Sequence, residues 1–134
     1  MKALNFSSKV NLASLVLRIF VGGMFLVHGL GKPFVVGMEP VIQDFLNQGF
    51  PVWTAYASTI VEILGGVMLI SGFYSRLASL ALSPITFGIL SYHFPYGWVF
   101  HNSGGGWEYP QLILVALIAI FLLGTGKYGL KKSK

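Results

Sequence analysis

The sequence contains no cysteine. Disulfides, CxxC redox centres, thiolate-bound iron–sulfur clusters and thiol nucleophiles are therefore excluded, and any redox role must come through a bound cofactor or a partner. Charge is scarce as well: nine Lys/Arg and four Asp/Glu among 134 residues, or 10%, against about 25% in a soluble domain. Acid is the scarcest, confined to Glu39, Asp44, Glu62 and Glu108. What takes its place is apolar: 54% of residues are hydrophobic and the mean hydropathy is +0.73. A surface this poor in charge belongs in lipid, and at ~20 residues per crossing the chain has room for four spans but hardly six.

Four apolar stretches supply those spans, predicting one all-α domain over 1–134, an integral membrane four-helix bundle with helices at about 10–31, 53–72, 76–94 and 109–124. Arg18 within the first stretch, its length, and the absence of an Ala-x-Ala cleavage pattern argue against a secretory signal. Pro84 marks the third stretch as the kinked one, because it removes a helix hydrogen bond that Ser83 or a neighbouring helix must replace. An even number of spans gathers Lys2, Lys9, Arg76, Lys127, Lys131, Lys132 and Lys134 on one side with no acid, so the N and C termini are expected in the cytoplasm. Clustering at the ends, with no aromatic interleaving, is a topology signal and not a nucleic-acid-binding stripe. The outward loops then run from about Gly31 to Pro51 and from Pro95 to Glu108. The first holds an amphipathic stretch, Val41 to Asn47, suited to the membrane interface and stopped by Gly49. The second is rich in glycine and aromatics, as at headgroup level.

Two sets of polar residues stand out. Arg18 and Glu62 each lie eight to ten residues from the cytoplasmic end of their stretches, at a shared depth of ~12–15 Å. A lone charge there costs at least ~2.5–3.5 kcal/mol, so an intramembrane ion pair between them is expected. Whether such a pair is functional or only sets helix register stays open. On the helical wheel Gly22, Phe25, Gly29 and Lys32 share the Arg18 face, and Ser58 and Gly66 share the Glu62 face.

The second set is at the outer ends. His28, His93 and Glu108 are candidate proton carriers, and Lys32, Tyr92, Trp98, Trp107 and Tyr109 candidate ligand-binding groups around a small planar ligand. Taken singly, each aromatic or histidine is better read as an interfacial anchor, and it is the cluster that points to a ligand. A bis-histidine haem through His28 and His93 is conceivable in a helix bundle, but nothing beyond the two histidines favours it. No metal site is expected, since His28, His93 and Glu108 lack close local spacing.

The stretch from Leu17 to Lys32, with Arg18, Gly22, Phe25 and the Gly29-Leu30-Gly31-Lys32 turn, resembles the opening helix of DoxX-like membrane proteins. Three further blocks are similar in order: Glu62 to Arg76 with its paired glycines, Gly106-Trp107-Glu108-Tyr109-Pro110, and the closing Gly124-Thr125-Gly126 turn. After that turn Lys127-Tyr128-Gly129-Leu130 departs from the pattern, in which an acid often follows the leucine.

The resemblance implies a four-helix inner-membrane protein, in some members the small subunit of a thiosulfate:quinone oxidoreductase, in others a component of redox or stress-response assemblies. Two function classes follow. One is a quinone-interacting subunit of a membrane redox complex, possessing no electron carrier of its own and taking electrons from a protein partner. The alternative is a non-enzymatic subunit or assembly scaffold. Homo-oligomerisation is compatible with both. Alternating-access transport is less so, because four helices without inverted halves give it little to work with.

Overall fold

A computed structural model of the chain describes residues 5–130. Among these residues all regular structure is helical. The chain runs as α1 (Phe6–Gly31), a π-helical turn (Lys32–Val36), α2 (Met38–Asn47), α3 (Val52–Ser71), α4 (Ser75–His93), a 3-10 turn (Phe94–Tyr96) and α5 (Glu108–Leu123). The segments Phe6–Val36, Val52–Ser71 and Ser75–Tyr96 are long and apolar enough to cross a membrane, whereas α5 is apolar but only 16 residues long. At ~1.5 Å per residue α5 reaches ~24 Å, short of a ~30 Å hydrocarbon core.

Local chemistry sets these boundaries. The Asn5 side chain accepts from Ser8 N at 2.8 Å, an N-cap that starts α1 four residues before the apolar run suggests. Gly72, at φ +68°, ends α3: its N–H returns to Leu69 O, and Phe73 N bonds Met68 O at 2.9 Å, the pairing of a Schellman motif. Pro84 does not break α4, and the Ser83 hydroxyl donates to Ser79 O at 2.7 Å.

Each of α1, α3, α4 and α5 packs against two of the others, in the cyclic order α1, α3, α4, α5, with the α1–α3 seam the most extensive and α1–α5 the loosest. The seam is close because Gly22 and Gly66 face each other. A Cβ on either would lie 2.8 Å from the carbonyl oxygen of the other. Phe25, Leu69, Ala78, Leu82, Leu117 and Ile120 form the central core. Beneath α2 a smaller cluster joins Val41 and Ile42 to Ala55 of α3. The expected amphipathic stretch is thus a ten-residue helix with an apolar underside and Glu39, Gln43 and Asp44 on its exposed face. Large apolar side chains such as Phe20, Val27, Leu64, Phe87 and Leu122 remain exposed along the long helices, the surface that meets lipid.

Candidate functional site

The first expectation to be corrected is the intramembrane pair. Arg18, fully buried, donates from Nη1 to Leu69 O at 3.0 Å and from Nη2 to Tyr128 O at 2.9 Å. Glu62, 3% exposed, is met by Lys32, whose Nζ lies 2.8 Å from Glu62 Oε2. The assumed shared depth was the error, because α1 and α3 do not end level. The Gly22–Gly66 contact and the seating of Gly29 against Glu62 and Ile63 set the antiparallel register. That register puts Arg18 beside Leu69 and Gly72, about seven or more residues or ~10 Å from Glu62. Helical side chains lean toward the N-terminus, so Lys32 reaches back one turn to the level of Gly29 and so to Glu62. Its ammonium also donates to Ser58 Oγ at 3.3 Å and lies 5.7 Å from the Phe45 ring centroid of α2. The two wheel faces read from sequence are real, but Lys32, expected to touch ligand, is the partner of Glu62.

Arg18 belongs to a polar closure at the end where the described chain starts and finishes. The segment from Gly124 to Leu130 folds back across the helix ends. Ser14 Oγ donates to Gly124 O at 2.6 Å, Lys127 N donates to Asn11 Oδ1 at 2.8 Å, and Leu130 N donates to Ser71 O at 3.1 Å. Arg76 Nε holds Phe121 O at 3.1 Å, and the hydroxyls of Ser75 and Thr125 are 3.1 Å apart. Gly72 admits the returning chain: a Cβ there would lie 2.5 Å from Arg18 Nη1 and 2.6 Å from Gly129 Cα.

At the opposite end the polar residues surround a cavity of about 300 Å³. His28, Met24 and Phe25 of α1, Glu62 of α3, Thr86 and His93 of α4, and Tyr109 of α5 line it, and Phe100, Gly105 and Gly106 of the last loop contribute. Each histidine is oriented by a main-chain carbonyl: His28 Nδ1 by Met24 O at 2.8 Å, His93 Nδ1 by Gly104 O at 3.0 Å. The Tyr109 hydroxyl reaches from α5 to α1 and donates to Met24 Sδ at 3.0 Å. A second, more open cleft of about 770 Å³ lies between α1 and α5 and shares His28, Phe100 and Tyr109 with the cavity. Trp98, Glu108 and Gln111 line its outer part, Leu112 and Val115 the part further along α5.

The loop that roofs this region is held by its own polar groups. Glu108 Oε1 accepts from Phe100 N at 2.9 Å, while Trp107 N and Glu108 N return to Gly97 O and Trp98 O, each at 3.1 Å. Trp107 stacks on Phe94 at 5.5 Å and meets Trp98 edge-on at 4.5 Å. Gly106 has no room for a side chain, since a Cβ would collide with the carbonyls of Trp98 and Val99. Gly106 is thus required by the packing of the loop.

Among the residues singled out from sequence, the structure brings His28, His93 and Tyr109 to one cavity, and His28, Trp98, Glu108 and Tyr109 to the adjoining cleft. Tyr92 stands outside both, exposed, 5.8 Å from the Tyr96 ring and 5.2 Å from that of His93. Trp107 also lines neither and packs the loop. The cavity residue that sequence reasoning assigned elsewhere is Glu62. The signal for it was present in the glycines: aligning Gly22 with Gly66 places Glu62 opposite the His28–Lys32 turn, not opposite Arg18.

The DoxX family model matches residues 13–102, about two thirds of the chain. The match includes Arg18, His28, Lys32, Glu62 and His93 and stops before Glu108. A Bacillus subtilis (strain 168) protein named "Putative oxidoreductase CatD" is 30% identical over 115 residues, which is 85% of this chain and 81% of that protein. No solved structure matches.

Proposed function

The chain belongs to the DoxX family, and from that premise we propose that it is a multi-pass protein of the cytoplasmic membrane that binds a quinone-type ligand at its outer end. All four long helices cross the bilayer in this reading, α5 reaching across with help from local thinning and the flanking turns. The end bearing Arg76 and Lys127 faces the cytoplasm. The observation that carries the proposal is the convergence of His28, His93, Glu62 and Tyr109 on one cavity that adjoins a cleft in the loosest helix seam. A volume of about 300 Å³ suits a single ring, at the lower end of small-ligand sites. The cleft offers lateral access from lipid, with Leu112 and Val115 beside an apolar tail.

A bound quinone would supply two-electron, two-proton chemistry. The residues of this chain would orient the ring and accept or return protons, His28 and His93 through Nε2 and Glu62 through its carboxylate. Electrons come from a protein partner, in keeping with the oxidoreductase name of the Bacillus subtilis relative. Haem fits less well, because the space that both histidines line is only about 300 Å³.

Titration of purified protein with a lipid-soluble quinone, in its oxidised and in its reduced form, followed by tryptophan fluorescence, tests this. Trp98 lines the cleft, so saturable quenching is expected, weakened at least about tenfold in His28→Ala/His93→Ala, equivalent to ~1.4 kcal/mol. No saturable response in the unmodified protein would sink the proposal.

The scaffold reading has one observation in its favour. Arg18 gives Nη1 and Nη2 to the chain's own backbone and takes no part in the outer cavity. It would gain weight if the protein co-purified with a stable subunit whose activity survived His28→Ala/His93→Ala.

A further inference from the structure

Every polar side chain that lines the outer cavity has its hydrogens committed elsewhere or has none to give. A carbonyl only accepts, so the hydrogen in each histidine contact belongs to the ring: His28 Nδ1–H goes to Met24 O, and His93 Nδ1–H to Gly104 O. In the neutral ring that leaves Nε2 as a lone pair. The Thr86 hydroxyl donates to Leu82 O at 3.0 Å, and the Tyr109 hydroxyl donates to Met24 Sδ. Each keeps only lone pairs for a ligand. Glu62, ionised, accepts and cannot donate, and Lys32 meets it at 2.8 Å as an ion pair off the line of a hydrogen bond. The side chains therefore offer acceptors from all four long helices, while the Lys32–Glu62 pair keeps the charge balanced.

We infer that the cavity is built for a neutral ring carrying hydroxyl donors, the reduced hydroquinone form, in preference to its oxidised dicarbonyl form. The inference rests on the quinone-site reading and adds the redox state of the ligand that the site holds. A dicarbonyl brings two more acceptors into a ring of acceptors, leaving its oxygens without a side-chain donor. A dihydroxy ring supplies the missing hydrogens, and each unmade hydrogen bond in such a setting is worth roughly a fewfold to tenfold in binding. A cationic ligand is not called for, because Lys32 already balances Glu62.

The test compares the two redox forms of one quinone of fixed tail, bound to the intact protein in lipid nanodiscs at neutral pH, with the reduced form kept under anaerobic reductant. Tighter binding of the reduced form by about tenfold or more is expected. His28→Phe, which keeps a ring on an exposed face of α1 but removes the Nε2 acceptor, should shrink that preference severalfold by weakening the reduced form more than the oxidised one. Equal binding of the two forms in the unmodified protein, or tighter binding of the oxidised one, overturns the inference and leaves the quinone site standing. Saturable binding of neither form overturns both.

Discussion

The two ends of the bundle use polar side chains to opposite effect. At one end Arg18, Ser14, Asn11 and Arg76 bond carbonyls, amides and turns of the chain itself, and the segment from Gly124 to Leu130 is drawn across the helix ends. At the other, His28 and His93 spend Nδ1 on a carbonyl and keep Nε2, while Glu62 meets Lys32 and the Tyr109 hydroxyl meets Met24 beside the same cavity. Polar groups that bond the chain itself, with only Arg18 Nε left without a partner, make a closure, and polar groups that keep lone pairs beside a cavity make a candidate site. The DoxX match spans residues from both ends, so the contrast has to be drawn from geometry.

The sharpest way to break that comparison is Lys32→Met. Glu62 would be left buried without its counter-charge, which costs about 3–5 kcal/mol. Thermal or denaturant unfolding in detergent should register it, and Lys32→Met/Glu62→Met should recover most of the loss, since replacing both members of a buried pair is often neutral. If Glu62 were paired with Arg18 instead, the recovery would appear in Arg18→Met/Glu62→Met. Additive losses are expected there.

Arg18→Met ranks next. It strips the side-chain donors from Leu69 O, which keeps the Gly72 N–H, and from the part-buried Tyr128 O, at about 2–4 kcal/mol for two hydrogen bonds from a charged group. It should loosen the chain from Gly124 to Leu130, seen as faster amide exchange at Lys127 and Leu130, without altering ligand binding at the far end. Ser14→Ala, which removes one donor from the same closure, should cost ~1–2 kcal/mol. The smallest stability effect is expected for His28→Ala, an exposed position, at within about 0.5 kcal/mol. It should sharply reduce ligand quenching, and a His28→Ala protein that lost stability but kept binding would erase the contrast between the ends.

Much of this was legible in the sequence, and the failures have a common origin. Apolar run lengths and the Gly72 and Gly124 stops locate the helices to within a residue or so, except where Asn5 caps α1 early. The convergence of His28, His93 and Tyr109 follows from their shared position at helix ends. The pairing of Arg18 and Glu62 was misjudged because depth was counted from each stretch's own end, while register is set by contact. The Gly22–Gly66 approach fixes it, and only a three-dimensional packing shows that the closing segment supplies Tyr128 O to Arg18. Tyr92 and Trp107 were grouped with the ligand by residue type alone. A helix wheel does not tell a ring that faces a cavity from one that packs a loop.

The most direct measurement is photolabelling of the protein in lipid with a quinone that carries a photoreactive group on its ring, followed by peptide mapping. Saturable label on the stretch from Trp98 to Ile113, or around His28, competed by unlabelled quinone, is the expected result. Competed label on the closing segment from Gly124 to Leu130, with the outer end untouched, would contradict the assignment of closure to one end and site to the other.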